Sequence, residues 1–217
     1  MPIQDKYLAD LTEGKVYHVY NRTNNKELLF KNDENRSFFL RRFDHYLSPY
    51  LGTYCWSLLP NHFHFLVRIK TAEEISSWLL QQEKLKPLEK KYLEGVETSA
   101  CLLERAFQQF FTSYAMAFNN MHTRSGNLFH RPFKRLEVEQ DSHFTNAVVY
   151  IHANPVKHRL VTDFTQYPWS SWKSIVDDRP SLLLKNELID WFGGKENLIK
   201  AHLDLSHYYE SGIAIED

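Results

Sequence analysis

A chain of 217 residues, 43% hydrophobic and 15% aromatic, carries enough apolar material for one well-buried domain with an appendage. It has no uncharged apolar run of about 18 residues and no basic stretch followed by an apolar one at the N-terminus, so neither a membrane-spanning helix nor a secretory leader is expected, and a cytoplasmic location is. The net charge of −1 argues against a protein that coats nucleic acid indiscriminately, but the balance is uneven. Nine acids against four Lys/Arg from Asp177 to Asp217 leave −5 there and +4 on residues 1–176, so any DNA-facing surface is expected in the first part.

Residues 1–13 read as an N-terminal arm, and Gly14 opens a strand over Lys15 to Asn21, rich in β-branched and aromatic side chains. Asn24-Asn25 turns the chain. From Asp33, Phe38, Phe39, Phe43, Tyr46 and Leu47 recur at helical spacing until Pro49, with Arg36, Arg41 and Arg42 on the solvated side. A second strand, Thr53 to Leu59, turns at Pro60-Asn61 into a third that carries His62 and His64, and the two are expected to pair antiparallel. A helix follows over Ala72 to Gln81. The charged segment 82–99, with Pro87 and Gly95, reads as a surface helical excursion, and Cys101 to Met121 is a helix whose aromatic stripe belongs to a core. Cys55 and Cys101 are far apart and outside any CxxC spacing, so they read as small buried side chains rather than a disulfide or a zinc knuckle.

Residues 122–135 hold Arg124, Arg131, Lys134 and Arg135 with no acid, interleaved with Phe129 and Phe133. Cations for phosphates and rings for unpaired bases make this stretch the best DNA-contact candidate by composition. A strand is expected from Leu128 to Val138. A helix capped by Asp141 or Ser142 then covers His143 to Asn154 and stops at Pro155. Beyond Trp172, two short helices, Leu182 to Phe192 and Glu196 to Tyr209, flank Gly193-Gly194. The order strand, helix, two strands, helices, strand, helix predicts an α+β fold. It is a ferredoxin-like βαββαβ antiparallel sheet with packed helices, an additional tyrosine-bearing helix and a helical tail.

Two features carry chemistry. On a strand, His62 and His64 share one face while Phe63, Phe65 and Val67 take the other, so two imidazoles about 7 Å apart can converge on one ion. Spacing alone favours the plainer reading, a half-exposed polar pair on a strand face. On the later helix, Tyr150 and Asn154 lie one turn apart, about 40° around the axis, and can face one site. His152 is the better ligand type, but it points away from Tyr150, so Asn154 is preferred as a third ligand.

Pro60-Asn61-His62-Phe63-His64 resembles the His-hydrophobic-His signature of HUH endonucleases, in particular the single-tyrosine transposases and their REP-associated relatives. Val16-Tyr17-His18-Val19-Tyr20-Asn21-Arg22 resembles that family's opening strand, and Ser125 to Lys134 its basic strand entry. Tyr150-Ile151-His152-Ala153-Asn154-Pro155-Val156 resembles the tyrosine segment, and Tyr167-Pro168-Trp169-Ser170-Ser171-Trp172 a motif of the REP-associated branch. The resemblance spans residues 14–172, with 82–99 as an insertion and 173–217 as an acidic helical extension.

The resemblance implies a transposase or endonuclease that cuts and rejoins single-stranded, hairpin-bearing DNA through a 5′-phosphotyrosine. Tyr150 is then the nucleophile, and His62, His64 and Asn154 hold a divalent ion, Mg²⁺ or Mn²⁺. Asn21 and Arg22 join Arg124, Arg131, Lys134 and Arg135 as expected DNA contacts. A base or the metal must assist the phenol, and whether Lys157 or His158 faces the site stays open, as does the choice between monomer and homodimer. Two departures stand out: Arg159 where relatives commonly carry glycine, and Pro132 within the basic entry. The alternatives are a domesticated protein that binds repeat hairpins without cutting, and an unrelated ferredoxin-like enzyme with a structural His pair.

Overall fold

The β-branched and aromatic runs at Val16–Arg22 (β1), Leu51–Leu59 (β2) and His62–Ile69 (β3) form strands, and Pro60-Asn61 closes β2 and β3 into a hairpin with Leu59 opposite His62. The structure, a computed structural model, describes residues 7–210, with side chains through residue 206. The first six residues of the expected arm and the last seven of the tail lie outside the described residues. A short strand, Lys134–Glu137 (β4), completes a four-stranded sheet of order β2-β3-β1-β4 in which every neighbouring pair is antiparallel. This is the ferredoxin-like βαββαβ sheet that the element order predicts.

Strand alternation sorts the side chains into two cores. Tyr17, Val19, Phe63, Phe65 and Val67 face α1 (Asp33–Leu47) and α4 (Ser99–Met121), where the Phe43 ring lies flat on Phe65 with centroids 4.0 Å apart. Between these helices come α2 (Ala72–Leu80), started by a Thr71/Glu74 capping box, and α3 (Pro87–Leu93) inside the insertion. The insertion is no loose excursion. Leu85, Leu88 and Tyr92 pack on the main core, and the buried Glu89 accepts a hydrogen bond from Tyr50 Oη at 2.8 Å.

On the opposite face, Cys55 and Leu66 meet Val148, Val149 and Ile151 of α5 (Asp141–Lys157). After α5 come α6 (Trp172–Val176), α7 (Lys185–Trp191) and α8 (Lys195–Glu210). Leu188 and Leu198 enter the same core, so the acidic segment roofs the tyrosine helix. The chain on either side of α6 also covers the outer edge of β2. Leu58 N donates to Trp169 O and Ser171 N to Trp56 O, both at 2.9 Å, and Leu184 N donates to Thr53 O at 2.8 Å. An edge strand left bare would offer those groups to another chain.

Two sequence expectations need correction. The strand expected from Leu128 to Val138 is confined to Lys134–Glu137, because Pro132 has no N–H to give a ladder and residues 128–131 are instead tied to β1 through His130 N and Arg22 O at 3.0 Å. The tyrosine helix does not stop at Pro155; it starts at Asp141 and continues to Lys157. Proline forfeits only the bond to the Ile151 carbonyl, and residues 148–155 are all buried, so packing holds the last turn. The helix ends in a Schellman arrangement, with Leu160 N bonded to Pro155 O at 2.9 Å and Arg159 N to Val156 O at 2.8 Å, which puts Arg159 at φ 56°. A side chain is strained there. Arg159→Gly is expected to raise unfolding free energy by up to about 1 kcal/mol, read from urea midpoints at unchanged m-value.

A buried polar chain joins α5 to α8. His202 Nδ1 donates to Leu198 O at 2.8 Å, so its Nε2 accepts from His152 Nδ1 at 2.9 Å, and His152 Nε2 in turn accepts from Ser171 Oγ at 2.8 Å. Both rings are neutral in this arrangement. Burial lowers His152 well below the ordinary value and His202 to about 4, while both titrate near 6.5 when unfolded. The unfolded state therefore binds more protons between those limits, so stability is complete above about pH 6.5 and falls as pH drops toward 4. Each withheld proton changes it by about 1.4 kcal/mol per pH unit. Urea melts from pH 7 to pH 5 should show that slope, and His202→Gln should flatten it.

Candidate active site

The β1–β3 register sets Arg22 opposite His62, Tyr20 opposite His64 and His18 opposite Leu66, so His18, Tyr20, Arg22, His62 and His64 share the face covered by α5. The Tyr150 ring stands edge-on to His64 and His18, with centroids 5.7 and 5.9 Å away. One turn further along, Asn154 is wholly buried, and neither its carboxamide oxygen nor its nitrogen has a regular hydrogen bond. It still lies near enough to His62 to favour that ring's protonated form.

Each histidine is oriented through Nδ1. His62 Nδ1 donates to Asn61 Oδ1 at 2.7 Å, which puts its lone pair on Nε2. His64 Nδ1 lies 2.9 Å from His18 Nε2, and where Nδ1 is the donor of that pair the His64 lone pair is on Nε2. Burial first, then the neighbouring His158, pushes the His62 imidazole down; burial first, then His18 and His62, holds His64 well below the ordinary range. Both are neutral near pH 7, the state in which imidazole coordinates an ion. The expectation of a half-exposed pair is corrected for His64, which is 4% exposed; only His62 keeps partial contact with solvent.

No three His, Cys, Asp or Glu side chains converge as ligands among the described residues. A site here requires an amide oxygen as third donor. The buried Asn154 carboxamide, without a regular hydrogen bond and next to His62, fits that requirement, whereas His152 is used up by His202 and Ser171 on the far side of α5.

Both basic residues at the helix end face the site. Lys157 Nζ lies 3.4 Å from Tyr150 Oη and 4.9 Å from the ring centroid, and the His158 ring meets His62 edge-on at 4.7 Å. His18 and Tyr20 went unrecognised in the sequence. Their i, i+2 alternation on β1 was visible, but only the pairing register shows that it falls beside His64.

The expected DNA contacts divide. Arg22 is exposed on the rim opposite His62, and Lys134 sits over Tyr20 with its ammonium 5.3 Å from the ring centroid. Arg131 is exposed at a loop tip. Arg135 pairs with Val19, on the face turned away from the site, and donates to Ala9 O. Asn21 is buried and donates to His130 O at 3.1 Å. Arg124 is committed inside the protein, bonded to both Glu27 carboxylate oxygens, Asn119 Oδ1 and the carbonyls of residues 125–127. These two organise the loop rather than presenting a free donor.

No protein-family model matches the sequence, and a search of curated proteins finds no match. Among solved structures, the chain is similar to a REP-associated tyrosine transposase bound to a REP hairpin. The TM-score is 0.52 at 14% identity, covering 85% of this chain and 93% of that one. The chain therefore has the fold of a REP-associated tyrosine transposase.

Proposed function

We propose that this chain is a divalent-metal-dependent transesterase of the HUH kind that cuts and rejoins single-stranded, hairpin-bearing DNA through Tyr150. The observation that carries the reading is the gathering, under one helix, of Tyr150, two neutral imidazoles and a buried carboxamide that has no regular hydrogen bond. An unbonded buried amide costs about 1–3 kcal/mol, and such groups persist where a function uses them.

His62, His64 and Asn154 would hold Mn²⁺ or Mg²⁺, which when bound polarises the scissile phosphate and neutralises its charge. Tyr150 Oη attacks phosphorus as the bond to the 3′-oxygen breaks. The phenol proton is lost, the leaving oxygen gains one, and the 5′-phosphate stays on the tyrosine. Lys157 places a positive charge where the phenolic oxygen becomes anionic and again where the phosphodiester forms. Another 3′-hydroxyl can reverse the step, so strands rejoin without ATP.

The similar transposase was solved with a REP hairpin. For this chain, hairpin DNA is a partner that Arg22 and Lys134 on the rim are placed to meet through phosphates. Labelled hairpins with single-stranded flanks, taken from repeats beside the protein's own gene, should yield a protein–DNA adduct that survives denaturing electrophoresis in Mn²⁺. The same sequence as a duplex should not. Tight hairpin binding with no adduct on any flank would make the chain a non-cleaving binder.

A further inference from the structure

A groove of about 670 Å³ runs between α4 and residues 126–135, on the face of the sheet away from Tyr150. That is the size range of small-ligand pockets. The Phe111 ring lies 5.0 Å from Phe129 and 5.3 Å from Phe133, giving the groove an aromatic lining. Gln108 and Thr112 on α4 and Asn127 on the loop bring amide and hydroxyl groups to its walls, and Arg131, Arg135 and Glu104 also line it.

Its loop wall is preformed. Arg124 and Asn119 hold the carbonyls of residues 125–127, and Asn24 Nδ2 donates to Asn127 O and Phe129 O at 3.1 Å. The wall is also continuous with the catalytic face, because His130 N bonds to the carbonyl of Arg22, whose side chain stands opposite His62. A strand whose phosphate lies at Tyr150 and which leaves past Arg22 reaches this groove by passing the end of β1.

We infer that the groove takes an unpaired nucleobase of single-stranded DNA, stacked among Phe111, Phe129 and Phe133 and edged by Gln108 and Asn127, while Arg131 meets the adjoining phosphate. Rings give affinity for any base, the amides give preference, and a wall fixed beforehand lowers the ordering cost of binding. Two arginines against one acid on the lining, Arg131 and Arg135 with Glu104, suit a polyanion better than an apolar peptide.

This rests on the DNA reading above, and one experiment separates the two. Fluorescently labelled dA8, dT8 and an abasic octamer with the same phosphates serve as probes in anisotropy titrations at fixed salt. Wild type should bind dA8 or dT8 about tenfold or more tighter than the abasic octamer. Thr112→Trp, at an exposed α4 position lining the groove, should fill it and erase that difference while leaving abasic affinity within about twofold. Independently of any variant, a strand carrying 4-thiothymidine should photocrosslink to peptides within residues 108–133. Base-dependent binding that Thr112→Trp does not change, together with crosslinks mapping elsewhere, overturns the groove and leaves the DNA reading standing. If no octamer binds and no hairpin adduct forms, both fall. A self-association that Thr112→Trp abolishes without touching DNA affinity would assign the groove to a second copy of this chain and overturn the inference.

Discussion

Tyr150→Phe should abolish both cleavage and the denaturation-resistant adduct, leaving less than about one-thousandth of the wild-type rate, because it removes the atom that in the proposed reaction forms the bond to phosphorus. Binding and folding should barely change. The ring that packs against His18 and His64 is kept, and the lost hydroxyl's contact with Lys157 is long, at 3.4 Å, so stability should stay within about 1 kcal/mol. Denaturing gels with the label on either side of the cut decide it: wild type should retain the 5′ end of the downstream fragment and release a 3′-hydroxyl on the other. An adduct formed by the Phe variant would move the nucleophile to another tyrosine and remove the role given to α5.

His62→Ala should weaken Mn²⁺ binding by at least about 100-fold and abolish cleavage, measured by calorimetry on DNA-free protein so that the metal readout does not depend on turnover. This substitution is cleaner than one at His64. His62 is partly exposed and its side chain bonds to the neighbouring Asn61, so little packing goes with it, whereas His64→Ala removes the buried contact to His18 Nε2 and should also cost about 1–3 kcal/mol of stability. Equal Mn²⁺ affinity in wild type and His62→Ala would take the ion away from this strand. Asn154→Ala offers an internal comparison. It should lower Mn²⁺ affinity while removing an unsatisfied buried amide, so that stability without metal falls less than a buried truncation normally costs.

The sheet was legible because its signals are local. Alternation over β1 and β3, the Pro60-Asn61 turn and the aromatic stripe of α4 each follow from side-chain period and turn chemistry within one segment, and together they fix the ferredoxin-like order. The errors arose where local rules were overridden. Pro155 reads as a helix stop, but the buried face of α5 outweighs one lost hydrogen bond. Arg159 does the work of a glycine because the turn it closes is held by bonds on either side. The extent of β4 was overestimated because residues that look extended are anchored sideways, by Asn21 and Arg22, rather than in a ladder.

For the candidate site, the sequence by itself determined which residues could share a face: His62 with His64 by the two-residue period of a strand, and Tyr150 with Asn154 by one helical turn. It could not set those pairs against each other. That depended on register and docking, which are long-range properties: β1 against β3 brings His18 to His64, and α5 over β2 and β3 lowers Tyr150 onto both. The pairing of β4 with β1 sends Lys134 to the face of the candidate site and Arg135 to the other, although the two are adjacent in the chain. Composition marked 122–135 as basic, but only packing divides it into Arg124, spent on the loop, and Arg131, left at the surface, because a guanidinium's partners are chosen by what folds around it. The acidic extension is the clearest case. Its charge reads as a solvated appendage, while Leu188, Leu198 and His202 form its buried side, and what they bury is the helix that carries Tyr150.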